Sequence, residues 1–151
     1  MKTVQITEAA AIQAHKAANQ EGKNLLENLI GKQLFNQKIT DRVKTFEDAC
    51  AITGDDPGEA RFTAYEPDVN AYNKLRVIVK ALNEGWTPDW NNSNERKWRP
   101  WFYLDNPGFR FDDSRYGNST STVGSRLCLK SEELCNYAAK QFLPLYKDLF
   151  N

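Results

Sequence analysis

The sequence has little of what catalytic and metal sites are usually built from. It contains one histidine, His15, one methionine, and three cysteines, Cys50, Cys128 and Cys135, an odd number with no CxxC pair. Structural zinc draws four ligands from closely spaced Cys and His, and a lone His15 cannot complete such a set with these thiols. Reduced, buried thiols are expected instead, because free cysteine behaves as a small apolar side chain. No cofactor and no metal is expected. GxSxG, P-loop, HExxH and GxGxxG patterns are all missing. No apolar run is long enough to span a bilayer, and the opening MKTVQITEAAAIQAHKAANQ carries an early lysine without the apolar core of a secretory signal. The expected location is cytoplasmic. An excess of one charge sign is missing too. Twenty basic residues against twenty acidic ones give zero net charge, so no global field draws the chain to nucleic acid or to an anionic membrane. Weak colloidal repulsion at zero net charge also eases self-association. There is no internal repeat, heptad array or low-complexity tail.

What is present is globular material. The chain has 151 residues, 40% of them hydrophobic and 26% charged, which suits one domain with one core, residues 1–151. Residues 1–38 read as a helical N-terminal extension at its periphery. There, Thr7 is placed to cap a helix running toward Gly22, with an alanine face and a solvated His15. NLLENLIGKQLF follows, with Leu25, Leu26, Leu29, Ile30 and Leu34 at helical spacing, and is expected to reach the core. TFEDACAITG predicts a short helix with Thr45 as N-cap, Asp48 as its capping-box partner and Gly54 at the C-terminal stop. Asp55, Asp56, Pro57 and Gly58 are turn chemistry, and residues 55–66 are the best candidate for a hinge. EPDVNAYNKLRVIVKALNEG is the strongest helix, with Pro67 in its first turn and Gly85 beyond its end; the wide apolar face makes it the central one.

RPWFYLDNPGFRFDD predicts an antiparallel hairpin from Trp101, with Pro107 and Gly108 at the centre of a type II turn. RLCL is short enough to add a third strand. Ser131 caps the last helical segment, which Pro144 is expected to kink or split. The fold class is therefore α+β, a short antiparallel hairpin or three-stranded sheet packed against several helices.

All four tryptophans, Trp86, Trp90, Trp98 and Trp101, lie in the run EGWTPDWNNSNERKWRPWFYLD together with Arg96, Lys97 and Arg99. Trp101 and Trp86 are expected to be buried, Trp101 because its neighbours are apolar and Trp86 because it follows a capped helix end. Trp90, in a run of asparagine and serine, is expected to make a contact with a partner. Trp90, Arg96, Lys97, Trp98 and Arg99 form the candidate partner-binding set. Trp, Tyr and Arg dominate protein interface hot spots, so a protein partner or a homo-oligomer is expected first. Single-stranded nucleic acid is the alternative, since aromatic rings stack on bases while arginines contact phosphates. From Trp86 to Lys130 seven basic residues face five acidic ones, a surplus of only two charges (7 − 5). An enzyme is the third reading, with Asp105, Asp112 and Asp113 flanking the hairpin as a carboxylate pair. No catalytic residue is assigned.

The stretches ITDRVKTFEDACAITG, ALNEGWTPDWNNSNERKWRPWFYLD, VGSRLCLKSEELCNYAAKQF and LYKDLF resemble a family of small bacterial proteins, many carried on prophages, over residues from about Ile39 to the C-terminus. The resemblance implies a phage-associated accessory protein acting as a binding module rather than a metabolic enzyme. It brings no residue role, because that family has no activity to carry over.

Overall fold

In the computed structural model, residues 4–63, 66–121, 123 and 125–151 are described. The chain divides into two compact units, Met1–Arg42 and Val43–Asn151. The first is helical: α1 Glu8–Ala17, α2 Gln20–Ile30, α3 Lys32–Asn36 and α4 Ile39–Arg42. The Thr7 hydroxyl accepts the Ala10 N–H and caps α1 as predicted. α1 nevertheless stops at Ala17, because the Asn19 side chain accepts the Gly22 N–H at 2.9 Å and starts α2; Gly22 lies in a first turn, not at a stop. α2 contains no buried residue, and Leu25 and Leu29 are 59% and 72% exposed. Its apolar stripe does not reach a core, since periodicity shows which face is apolar and not whether anything covers it. His15 is not solvated either. Its Nε2 lies 3.0 Å from Glu27 Oε1, and its ring stacks on Phe35 with centroids 4.1 Å apart.

The second unit is α+β, with α5 Phe46–Thr53, α6 Pro67–Asn83, β1 Lys97–Tyr103, β2 Arg110–Gly117, α7 Glu132–Gln141 and α8 Leu143–Leu149. Thr45 and Asp48 form the capping box of α5, and Gly54 closes it in the left-handed region at φ 77°. The boundary between the units falls at Arg42/Val43 and not in the expected hinge, residues 55–66, of which 64 and 65 lie outside the described residues. The segment lies inside this unit, where the Asp55 carboxylate accepts hydrogen bonds from Thr53 and Arg61. α6 is central, buries Leu75, Val77, Ile78, Val79 and Leu82, and packs against α5 and α8. Its carboxyl end carries a buried amide: Asn83 donates to the Cys128 carbonyl at 2.9 Å and accepts from the Lys130 N–H at 3.0 Å. Pro144 splits the last helical segment into α7 and α8 by occupying the first turn of the second.

The sheet has two strands, β1 and β2, paired antiparallel with Trp98 opposite Tyr116, Pro100 opposite Ser114 and Phe102 opposite Phe111. β1 begins at Lys97, four residues before the predicted start. The expected third strand reduces to a single bridge between Trp98 and Leu129, because residues 125–127 coil into a 3-10 turn. In the hairpin turn the Gly108 N–H donates to the Asp105 carbonyl. Asn106 and Pro107 are thus the central pair, joined by a cis peptide bond, and the turn is not type II. α7 covers one face of the hairpin, where Ser114 is buried and its hydroxyl donates to Asn136.

Candidate functional site

The tryptophan stretch is organised around a lysine. Lys97 is fully buried, and its Nζ donates to the carbonyls of Asn92 and Glu95 at 3.0 and 3.1 Å while lying 3.3 Å from Glu95 Oε1. An ammonium has three protons, and these three acceptors satisfy it in the manner a buried charge requires. Glu95 is the second node. It accepts the Asp89 N–H at 2.8 Å and the Trp86 indole N–H at 3.2 Å. These bonds, first that from Asp89, hold its carboxyl below its ordinary value against the opposing effect of burial. Asx turns at Asp89 and Asn92 complete the loop, with N–H to carboxyl or amide oxygen distances of 2.9 and 3.0 Å.

The five residues of the candidate partner set are therefore not brought to one surface. Lys97 is a structural centre and is not available to a partner, which corrects the sequence-based expectation. Trp90 is half-buried with the Lys97 ammonium 5.5 Å from its ring centre. Arg96 and Trp98 both lie on Tyr116 of the neighbouring strand, at 4.6 and 4.9 Å. Arg99 turns elsewhere, to the Ser121 hydroxyl at 2.7 Å.

Trp101 is 44% exposed, not buried, and Trp86 is half-buried. The reason is the two-residue period of a strand. In Trp101-Phe102-Tyr103 only Phe102 points to the face covered by helices, with 8% exposure against 44% for both neighbours. Arg115 lies over the Trp101 ring at 4.4 Å and Arg110 over Tyr103 at 4.2 Å. Phe102 meets Phe109 and Tyr146, with centroids 4.8 and 4.9 Å apart. Around it opens an apolar groove of about 570 Å³ whose lining includes Phe102, Trp101, Leu104, Tyr146 and Phe150. Burial pushes the Tyr146 phenol well above its ordinary range. The rim is exposed: Leu104 is 62% and Phe150 51% accessible. Sequence reading missed the α8 side of this groove. The signal was there in Leu149 and Phe150, two adjacent large apolar residues that follow Lys147 and Asp148.

Asp105, Asp112 and Asp113 line neither this groove nor the polar cleft described below. Asp105 pairs with Arg110 at 2.7 Å, Asp112 with Arg115 at 3.4 Å, and Asp113 accepts the Ser114 N–H at 2.7 Å. Asp105 thus ties the two sides of the hairpin turn, while Asp112 and Asp113 have partners within β2 itself. Cys50, Cys128 and Cys135 are buried free thiols. Burial raises all three, Cys135 to about 12, which favours the neutral thiol over the thiolate. Among the described residues, no three His, Cys, Asp or Glu side chains group as a metal site, and no helix is long and apolar enough to cross a membrane. Comparison of the chain with protein-family models, curated proteins and solved structures finds no match.

Proposed function

We propose that the chain is a non-enzymatic protein-binding module that self-associates through the apolar groove of its hairpin unit. The observation carrying this reading is the groove's exposed rim of Trp101, Leu104 and Phe150, together with Tyr103 beside it. A contiguous apolar patch of this kind marks an interaction site more often than a bare surface. Its composition is that of an interface centre, aromatic rings with arginines laid over them. A second copy is the favoured occupant because the groove carries little charge. Among its lining residues only Arg99 is charged, and it donates to the Ser121 hydroxyl; beside the groove Arg110 and Arg115 are matched by Asp105 and Asp112 within the same hairpin, so two such faces meet with little net repulsion. A two-fold contact would set the rim of each copy into the groove of the other.

Light scattering coupled to size exclusion tests this, using the intact chain and a Trp101→Glu variant. The expected result is a mass above that of one chain, rising with loading concentration, and a return to one-chain mass in the variant. A one-chain mass for the native protein at every concentration would remove self-association.

A further inference from the structure

A second cavity, of about 580 Å³, shares no lining residue with the apolar groove. Its character is opposite. Four cationic side chains line it, Arg61, Arg76, Lys80 and Arg126, against one carboxylate, Asp55. Asp55 is already engaged, hydrogen-bonded by Thr53 and Arg61 and 3.9 Å from Lys80. Glu59 takes the other side of Arg61 at 2.7 Å. If these two carboxylates are set against Arg61 and Lys80, two guanidinium charges are left over. Arg76 and Arg126 form no ion pair among the described residues, and both are exposed. Arg76 instead lies 6.0 Å from the Tyr72 ring centre.

The cleft is also lined by Trp86 and Trp90, both half-buried and each with a polar partner in the loop. The Trp86 indole N–H is tied to Glu95, and Trp90 rests against the Lys97 ammonium. A ring fixed in this way can stack on a ligand with little further loss of side-chain freedom. Surplus guanidinium charge suits phosphate oxygens, which it meets with paired charge-assisted hydrogen bonds. Indole faces suit a planar base. The volume is that of a small-molecule site.

We infer that this cleft binds a mononucleotide, with the phosphate held by Arg76 and Arg126 and the base against Trp86 or Trp90. The pattern was present in the sequence as a polar stripe on the central helix, Asn73, Arg76, Lys80 and Asn83, at spacings of three, four and three residues. The same chemistry could be offered by a free nucleotide or by one residue of a single strand.

The test is tryptophan fluorescence of the full chain titrated separately with ATP, AMP, inorganic phosphate and a short single-stranded oligonucleotide. ATP is expected to give saturable quenching that Trp90→Phe reduces and that weakens with added salt. Arg76→Gln and Arg126→Gln, which keep most of the stem packing, are each expected to weaken ATP binding about tenfold, the loss of one charged hydrogen-bonding partner. Arg126→Lys should recover part of that loss. Circular dichroism establishes that each variant is folded. No saturable response to ATP would overturn the inference. So would an ATP affinity equal to that of the native chain in both glutamine variants, or binding of the oligonucleotide alone. Trp101→Glu, which bears on the groove, should leave ATP binding unchanged, so the two readings fail independently.

Discussion

Replacing Lys97 by methionine removes the ammonium and keeps most of the apolar stem, so it isolates the role of the charge in holding the tryptophan loop. Three acceptors lose their donor: the carbonyls of Asn92 and Glu95 and the Glu95 carboxylate. A buried polar group left without a partner costs about 1–3 kcal/mol. Asn92 is exposed and the Glu95 side chain is 24% accessible, so water recovers part of each loss and the low end applies. The sum is about 2–4 kcal/mol. With an m-value of roughly 2 kcal/mol per molar urea, that is a fall of about 1–2 M in the unfolding midpoint. Urea melts followed by circular dichroism measure it. A Lys97→Met midpoint within about 0.2 M of the native one would refute the argument, because the lysine would then be a dispensable surface cation. A companion effect is expected at Trp86 and Trp90, whose emission should shift to the red as the loop that orders them loosens.

Further expectations concern neighbouring features. Trp101→Ala should cost only about 1 kcal/mol or less, since its ring is half open to solvent and its main contact is a cation–π pair with Arg115; a cost of about 3–5 kcal/mol would place it in the core. Cys50, Cys128 and Cys135 should resist alkylation at pH 8 until the chain is unfolded, and rapid labelling of the native protein would contradict their burial. Asp55 and Glu95 are held below their ordinary values of 3.8 and 4.5, Asp55 first by the Thr53 hydroxyl and then by Arg61. The unfolded chain therefore takes up these protons first on acidification. Their contribution to stability is complete above the ordinary values and is lost as pH falls through the lowered ones. Melts from pH 7 to 3 should show that decline, and Glu95→Gln should flatten it; an unchanged pH slope in the variant would show that Glu95 takes no part.

Local signals in the sequence were legible where one residue decides a backbone bond. Thr7, Thr45 and Ser131 each accept the N–H three residues on, Gly54 takes the left-handed stop, and Pro144 breaks the last helix. These outcomes depend on chain neighbours alone. The central helix was legible because its apolar stripe and its ends agree. Tertiary cover was not. Leu25 and Leu29 have the spacing of core residues, yet nothing in that spacing shows that α2 leaves them exposed. The run Trp101 to Leu104 looked uniformly apolar, but a strand buries one side, and α7 and α8 decide which. Lys97 was the hardest to read. Its burial rests on carbonyls of a loop whose fold it supports, so neither can be read without the other. Within the candidate site, the residue types singled out one segment, while its division between a hairpin face, a buried lysine and a polar cleft needed the structure.

The central claim is that the hairpin groove is an association surface. A dilution series of amide correlation spectra on isotopically labelled protein tests it most directly, because each residue reports its own contact. The prediction is that concentration-dependent shifts concentrate on residues 99–104, 110–115 and 146–150, and vanish in Trp101→Glu. Shifts confined to other surfaces, or none over the accessible concentration range, would contradict it.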